Sequence, residues 1–191
     1  MTESPQRILL AARSLYQKHG ADGVSMRKVA DAVGLTAPAI YRHYKDKDAL
    51  LDAIAEAGFA VFETYLARMF AVRSPIRRIE VAAQAYLDFA LDQPQLYELV
   101  FLTARPNLRR FPRDFAAGRS RTGEMLRRQV EECMKTGAFA ADDPLETALS
   151  IWAYAHGLVV MYRTGRFGPD SDRFRAIYRR SMRRLLKWLR A

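Results

Sequence analysis

The segment VSMRKVADAVGLTAPAIYRHY, residues 24–44, contains two helix starts separated by one short turn. Ser25 precedes the first helix and Thr36 precedes the second, and a hydroxyl at either position can accept a hydrogen bond from a free N–H of the first turn. Gly34 lies between the two helices and suits the left-handed backbone that ends many helices. Two capped helices joined by a glycine turn predict a helix-turn-helix.

Around this segment, apolar residues recur at spacings of three and four almost throughout the chain, while strand signals are missing. The pattern predicts an all-α protein of about nine helices. Apart from the two in the quoted segment, they are expected over residues 5–19, 46–72, 76–92, 94–104, 113–136, 143–164 and 172–189. We expect a three-helix DNA-binding domain over residues 1–50 and a second helical domain over residues 51–191.

The net charge of +10 indicates an anionic partner, and nucleic acid is the commonest one for a basic protein. Only +3 of this charge falls in residues 1–50, the predicted DNA-binding domain. The basic clusters at 105–128 and 166–190 lie outside that domain. For those clusters, the solvated face of an arginine-rich protein is the favoured explanation.

Several common classes of protein are disfavoured by the sequence. The chain opens without a secretory signal, which favours the cytoplasm, and its most apolar stretch, residues 148–162, is shorter than the ~20 residues that cross a bilayer. Cys133 has no cysteine partner, and three histidines with no glycine-rich phosphate loop form no catalytic constellation. We therefore expect no enzyme, no metal, no cofactor and no membrane association.

The second helix of the quoted segment has a predicted inner and outer side. Ile40 and Tyr44, four residues apart, pack inward. The positions left for DNA are Thr36, Ala37, Pro38, Ala39, Tyr41, Arg42 and His43, to which we add Ser25, Arg27 and Lys47. Ala37 and Ala39 would let the backbone approach bases closely, and Arg42 could bind guanine or phosphate.

Lys47 is predicted in the first turn of the fourth helix, where the helix dipole disfavours a cation. A lysine beside free N–H groups makes a phosphate site. The alternative is that Asp46 and Asp48 neutralise the lysine.

The segment 7–51 resembles the DNA-binding domain of the TetR family of bacterial repressors. The positions that carry the resemblance are Ala11, Ala12, Leu15, Gly20, Ser25, Val29, Ala30, Gly34, Leu35, Tyr41, Tyr44, Lys47 and Leu50. Tyr44 and Pro38 depart from the common pattern. The resemblance implies that the rest of the chain is a helical effector-binding and dimerisation domain, and Trp152-Ala-Tyr-Ala-His-Gly157 is similar to the subgroup named for tryptophan, histidine and glycine.

That architecture would bring together side chains able to line an apolar effector cavity. The candidates are Tyr86, Phe89, Tyr97, Phe101, Met125, Trp152 and His156. Core packing is the alternative for each, including a core role for His156. Arg105 and Arg163 could favour an acidic effector, although exposed arginines need no ligand.

The sequence therefore predicts a transcriptional regulator, specifically a repressor released from double-stranded DNA by a small, largely apolar effector. A homodimer is expected through the helices at 143–164 and 172–189, with apolar positions that include Leu149, Trp152 and Trp188. A two-fold dimer would read a pseudo-palindromic operator. The alternative is a ligand-independent DNA-binding or architectural protein whose C-terminal domain is solidly packed and has no cavity.

Overall fold

The computed structural model describes residues 4–190, a range that contains ten α-helices and no β-strand. The helices are α1 (Pro5–His19), α2 (Met26–Val33), α3 (Ala37–Tyr41), α4 (Lys47–Leu66), α5 (Pro75–Asp92), α6 (Pro94–Tyr97), α7 (Arg113–Ala116), α8 (Arg121–Lys135), α9 (Pro144–Arg163) and α10 (Ser171–Trp188). A π-helical turn, Glu98–Leu102, continues α6. The predicted all-α class is confirmed.

The predicted helix at 113–136 is wrong as a single element, because the chain turns between α7 and α8. Gly118 adopts a φ of 68°, and Ser120 starts α8 by accepting a hydrogen bond from Gly123 N at 3.2 Å. The buried carboxylate of Asp114 holds the turn, accepting from Arg110 N at 2.7 Å and pairing with Arg119 at 3.0 Å. Because this turn divides the predicted helix into α7 and α8, residues 4–190 contain ten α-helices, compared with about nine predicted.

Helix α4 ends earlier than the predicted Val72. It stops at Leu66, and the chain continues as a 3₁₀ turn, Ala67–Ala71. Phe62 and Leu66 are buried as expected from their spacing, but Phe70 falls in the turn and is 55% exposed. The spacing of Phe59, Phe62, Leu66 and Phe70 in the sequence predicts that all four face the C-terminal domain. For Phe70 this prediction is wrong, because the tighter turn rotates it out of the α-helical register.

The chain divides into two compact units. The first contains residues up to Val61 together with Asp92–Leu108, and the second contains Phe62–Leu91 together with the residues from Arg109 onward. The segment 92–108, which we expected to belong with the C-terminal residues, thus packs with the N-terminal ones. The division of function at residue 50 remains a prediction.

The first unit is built on α1, whose Ile8, Ala12 and Tyr16 are buried. Arg7 on this helix donates to Val33 O at 3.1 Å, which fixes the end of α2. Further along the unit, a Cβ added to Gly58 of α4 would lie 2.7 Å from Val100 Cγ2. A larger residue at position 58 would force Val100 or α4 to shift, so glycine allows this close approach of α4 to the 98–102 turn.

The second unit is centred on aromatic packing. Phe174 of α10 is fully buried and stacks on Tyr162 of α9, with 4.2 Å between ring centroids and 7° between planes. Tyr178, also on α10, donates its buried hydroxyl to Ala83 O of α5 at 2.9 Å. Within the described range, every helix is too short or too polar to span a membrane.

Candidate nucleic-acid interface and effector site

Helix α2 has the start and end that its sequence predicts. Ser25 accepts a hydrogen bond from Lys28 N at 3.2 Å, and Gly34 ends the helix with φ 67° and ψ 35° in the left-handed region. Leu35 N then donates back to Ala30 O at 2.9 Å, which closes the turn. All four apolar positions of α2, Met26, Val29, Ala30 and Val33, are buried. The inner face and the turn of the predicted helix-turn-helix are confirmed.

Helix α3 begins differently from the prediction. The side chain of Thr36 makes no capping hydrogen bond, and Ala39 N donates instead to the carbonyl oxygen of Thr36 at 3.0 Å. Pro38 supplies the helical φ in the first turn without needing a hydrogen-bond acceptor. Thr36 is exposed, and its hydroxyl, which is not used in capping α3, could bind another group.

The outer side of α3 carries most of the residues predicted to read DNA. Pro38, Arg42 and Thr36 are exposed, and Tyr41 is 53% exposed. Ala37 and His43 are half-buried. Ile40 is fully buried, and Tyr44 is partly buried with its hydroxyl 3.4 Å from Pro5 O, as an inward-facing pair should be.

Ala39 was expected on the exposed side, and this is wrong. Its side chain is only 4% exposed, because α3 is short and packs on α2 along a face wide enough to include the neighbour of Ile40. Ala37 is therefore the small residue of this helix that lies closer to solvent.

Positive charge surrounds the exposed side of α3. Arg27 of α2 is exposed, and Lys47 occupies the first position of α4 as predicted. Asp46 is engaged in capping that helix, since Oδ1 accepts from Ala49 N at 2.7 Å. Lys45, which the sequence reasoning missed, is 82% exposed in the turn between α3 and α4. The sequence signal that could have identified Lys45 was its position between the two helices, α3 and α4, that carry other predicted DNA-binding residues.

The second unit contains an aromatic cluster, which we call the 86/156 cluster, formed by Phe62, Tyr86, Phe89, Phe115, Trp152 and His156. Phe62 lies 5.7 Å from Tyr86 and 5.1 Å from Phe89 between ring centroids. Trp152 contacts both Phe115, at 6.4 Å, and His156, at 5.7 Å. Four of the seven predicted effector residues are thus brought together.

The Tyr86 hydroxyl and the His156 imidazole form a polar pair within this cluster. The Tyr86 hydroxyl and His156 Nδ1 are 2.6 Å apart, and burial lowers the pKa of His156 below its ordinary value. A neutral imidazole and a phenol can exchange donor and acceptor roles. Aromatic side chains around a polar pair are the kind of groups that line small-molecule sites.

The other predicted effector residues are placed elsewhere. Tyr97 is fully buried in the first unit, where Phe101 lies 5.3 Å from it and 5.8 Å from Phe59. Met125 is partly exposed on α8. Phe62 and Phe115, which sequence reasoning missed, contact Tyr86 and Trp152. The spacing of Phe59, Phe62 and Leu66 along α4 was the available signal for Phe62.

Arg105 is committed to an ion pair and not to an acidic effector. Its Nη1 lies 2.9 Å from Asp52 Oδ1, and its side chain is only 6% exposed. Asn107 donates to the second oxygen of the same carboxylate at 2.6 Å. The suggestion that Arg105 favours an acidic ligand is therefore wrong.

An exposed reading helix behind a glycine turn, with cations around it, defines the helix-turn-helix class of DNA-binding proteins. Two family profiles match the chain: "Bacterial regulatory proteins, tetR family" over residues 8–54 and "Tetracyclin repressor-like, C-terminal domain" over residues 79–185. The chain therefore belongs to the TetR family, whose members are DNA-binding transcriptional regulators.

Individual relatives agree with this membership. The class A tetracycline repressor from transposon 1721 of Escherichia coli is 43% identical over 61 residues, which are 32% of this chain and 28% of the repressor. The chain thus matches less than a third of that relative's length. A solved structure of a protein of unknown function from Rhodococcus sp. RHA1 superposes with a TM-score of 0.81 at 28% identity, covering 100% of this chain and 97% of the other.

A more distant structure shares the fold. A variant of TetR from Acinetobacter baumannii AYE, solved in complex with minocycline, superposes with a TM-score of 0.69 at 20% identity. The match covers 100% of this chain and 99% of that one. The helical arrangement therefore extends over the whole chain and beyond the DNA-binding segment.

Proposed function

We propose that the protein is a repressor that binds a pseudo-palindromic DNA operator as a homodimer and is released by a small, largely apolar effector. The exposed side of α3, with Arg42, Tyr41 and Lys47 beside it, is the observation that carries the proposal. It presents base-reading and phosphate-binding groups together on a rigid support.

The two cations have different expected roles. Lys47 makes no ion pair within the described residues and stands at a helix N-terminus, which suits a phosphate contact. Arg42 directly follows the reading helix α3, where a guanidinium can bind a guanine edge and contribute about 1–3 kcal/mol of discrimination. Loss of Lys47 should weaken binding to all sequences, and loss of Arg42 should relax the preference at one base pair per half-site.

The test begins with selection of the bound site from random DNA, followed by anisotropy titrations across a salt series. Lys47→Ala should reduce the slope of log affinity against log salt by roughly 0.9 for each phosphate that the lysine neutralises. Arg42→Ala should bind the selected site and variants changed at the base pair that Arg42 reads with similar affinity, while keeping the wild-type preference at the other base pairs. Lys18→Ala, an exposed change on α1, is the control. Wild-type binding in both reader variants would overturn the proposed reading surface.

The dimer is proposed through α9 and α10, on a different face of α9 from the one the sequence suggested. Trp152 and His156 contact residues of their own chain, whereas Tyr154 and Met161 are 36% and 42% exposed. Trp188 of α10 is 76% exposed. Large apolar side chains exposed on two adjacent helices are typical of a self-association surface.

Gly157 lies between Tyr154 and Met161 and supports this interface. No atom of residues 4–190 outside its own helical turn lies within 4 Å of a Cβ added there. A mid-helix glycine costs about 0.8–1.0 kcal/mol relative to alanine. Close approach of a second copy would account for it.

Gly157→Leu should therefore weaken dimerisation while leaving helical content unchanged, since the added side chain meets nothing in its own chain. Sedimentation over a concentration series measures the dissociation constant, with Glu132→Leu, an exposed change on α8, as the control. Equal dimerisation of the Gly157→Leu variant and wild type would exclude this face of α9. A wild-type monomer at micromolar concentration would exclude the dimer.

The effector is proposed to bind at the 86/156 cluster. Trp152 and His156 of this cluster, with the adjacent Gly157, resemble the tryptophan-histidine-glycine subgroup. The rings offer an apolar lining, and the Tyr86–His156 pair offers one donor or acceptor. Helix α4 is the covalent link, because it starts at Lys47 in the first unit and its last residues, from Phe62, belong to the cluster's unit. A ligand that favours one arrangement of this helix would change the spacing of the two readers.

A thermal-shift screen of apolar and amphipathic small molecules tests the site. Hits should quench or shift Trp152 fluorescence, and Trp188→Phe removes the other tryptophan so that the signal belongs to Trp152. Tyr86→Phe should weaken hits that carry a polar group, because the variant offers one hydrogen bond fewer. Hits that bind Tyr86→Phe, Trp152→Phe and wild type equally well would place the effector elsewhere.

A further inference from the structure

Helices α5 and α10 line a cavity of about 450 Å³ that is separate from the 86/156 cluster. The helices run antiparallel, because Tyr178 bonds Ala83 while Arg175, earlier on α10, pairs with Asp88, later on α5. Val81 and Met182 give the cavity an apolar floor. Its volume falls within the range of about 300–1,000 Å³ that small-molecule sites occupy.

The cavity carries an excess of positive charge. Arg77, Arg179 and Arg183 line it together with one acid, Glu80, which pairs with Arg77. Within residues 4–190, Arg179 and Arg183 form no ion pair, and Arg183 Nε only reaches the carbonyl oxygen of Arg179 at 3.4 Å. Two guanidinium groups are thus available at an apolar surface, an arrangement that suits a carboxylate.

The cavity also contains a polar group that needs a donor. Gln84 Nε2 donates to Asp88 Oδ1 at 2.9 Å, and this orients the amide because an ionised carboxylate can only accept. Gln84 Oε1 is consequently fixed as an acceptor, and it is buried without a donor from any described residue. Such a group loses its hydration and gains nothing in return unless a bound molecule supplies an O–H or N–H.

The positions of these groups set the length of the ligand. Arg77 and Gln84 are seven residues apart on α5, which corresponds to about 10 Å along the helix. The antiparallel register places Arg183, further along α10, toward the Arg77 end. A carboxylate would lie at that end, the apolar part over Val81 and Met182, and the donor at Gln84.

We propose that the α5/α10 cavity binds an amphipathic carboxylate that carries a hydrogen-bond donor about 10 Å from its acid group. This is a second ligand site, distinct from the effector site proposed above. A second copy of the chain is a poor occupant, because a two-fold contact would place this excess of arginine charge against itself. Arg179 and the exposed Trp188 are nine residues apart, about 180° around α10, so a dimer through Trp188 leaves the cavity open.

The test is calorimetric titration of the full chain with three probes: para-hydroxyphenylbutanoate, phenylbutanoate and phenylbutanamide. The hydroxylated acid should bind most tightly and the neutral amide most weakly. Arg179→Gln with Arg183→Gln should weaken both acids by about tenfold and leave the amide unchanged. Arg180→Gln with Arg184→Gln removes the same charge from α10 at exposed positions that do not line the cavity, and it should change nothing.

Gln84→Leu tests the donor separately. It should remove the advantage of the hydroxylated acid, roughly fivefold, without affecting phenylbutanoate. Failure of either acid to bind at millimolar concentration, equal binding of acid and amide, or equal weakening by the control pair would overturn the proposal. The proposal would also be overturned if wild type bound no carboxylate and the Arg179→Gln, Arg183→Gln variant sedimented differently from wild type. That result would identify the cavity as part of an interface between copies of the chain. Tyr86→Phe should leave all three affinities unchanged, so failure at this site and failure of the proposed effector site are distinguishable.

Discussion

The ion pair between Asp52 and Arg105 provides a quantitative test of how the first unit is held together. Asp52 lies on α4, five residues after Lys47, and Arg105 lies in the segment that follows the π-helical turn. Asp52→Asn would leave the Arg105 guanidinium, 6% exposed, without its carboxylate, and Arg105 Nε already lacks a partner among the described residues. The variant keeps the size of the side chain, so the change is one of charge.

Removing one partner of a buried pair costs about 3–5 kcal/mol in the free energy of unfolding. Asp52 keeps 17% of its side chain exposed, and solvent reduces the loss, so we expect about 2–3 kcal/mol. For a chain of this size, that corresponds to a fall in Tm of about 5–10 °C.

Urea unfolding followed by far-UV circular dichroism measures the loss, with Asp31→Asn, an exposed change, as the control. Asp52→Asn combined with Arg105→Met should recover most of the stability, because replacing both partners removes the uncompensated charge. A single variant within about 0.5 kcal/mol of wild type, or a double variant with no recovery, would show that this pair does not hold the unit together.

Two further predictions concern buried titratable groups. Cys133 is fully buried, and burial raises the pKa of its thiol to about 11. Iodoacetamide at about pH 8 should therefore label Cys133 only after the chain is unfolded in guanidinium. Rapid labelling of the native chain, measured by mass spectrometry, would contradict this burial. Burial lowers the pKa of His156, so the unfolded chain binds the proton more tightly, and the free energy of unfolding should fall as pH falls through about 6.5. His156→Gln should flatten the stability curve in that window, and an unchanged slope would exclude His156 as its source.

The DNA-binding half was predictable because its signals are local. Ser25 caps α2 and Gly34 ends it through contacts with residues no more than a few positions away. The same reasoning failed at Ala39, because which neighbour of Ile40 becomes buried depends on how widely α3 packs on α2. Local patterns indicate that a helix forms, and tertiary contacts decide the width of its buried face.

In the C-terminal part of the chain, the sequence predicted the positions of the helices better than the tertiary contacts between them. Tyr97 looked like a partner of Tyr86 in sequence, but the segment that carries it packs in the first unit, as the hydrogen bond from Gln17 to Gln93 at 3.0 Å illustrates. That hydrogen bond joins residues 76 positions apart, and apolar periodicity does not encode such pairings. The turn at Gly118 was missed for another reason, since a single glycine within a helical pattern is often tolerated.

Effector and DNA should oppose each other through one conformational equilibrium, and reciprocal titration is the decisive measurement of this coupling. Operator affinity is measured with and without saturating effector, and effector affinity is measured with and without saturating operator. We expect each ligand to weaken the other by the same factor, about 5- to 150-fold, which corresponds to a coupling of about 1–3 kcal/mol. An effector that binds the C-terminal domain and leaves operator affinity unchanged would contradict the proposed repressor mechanism.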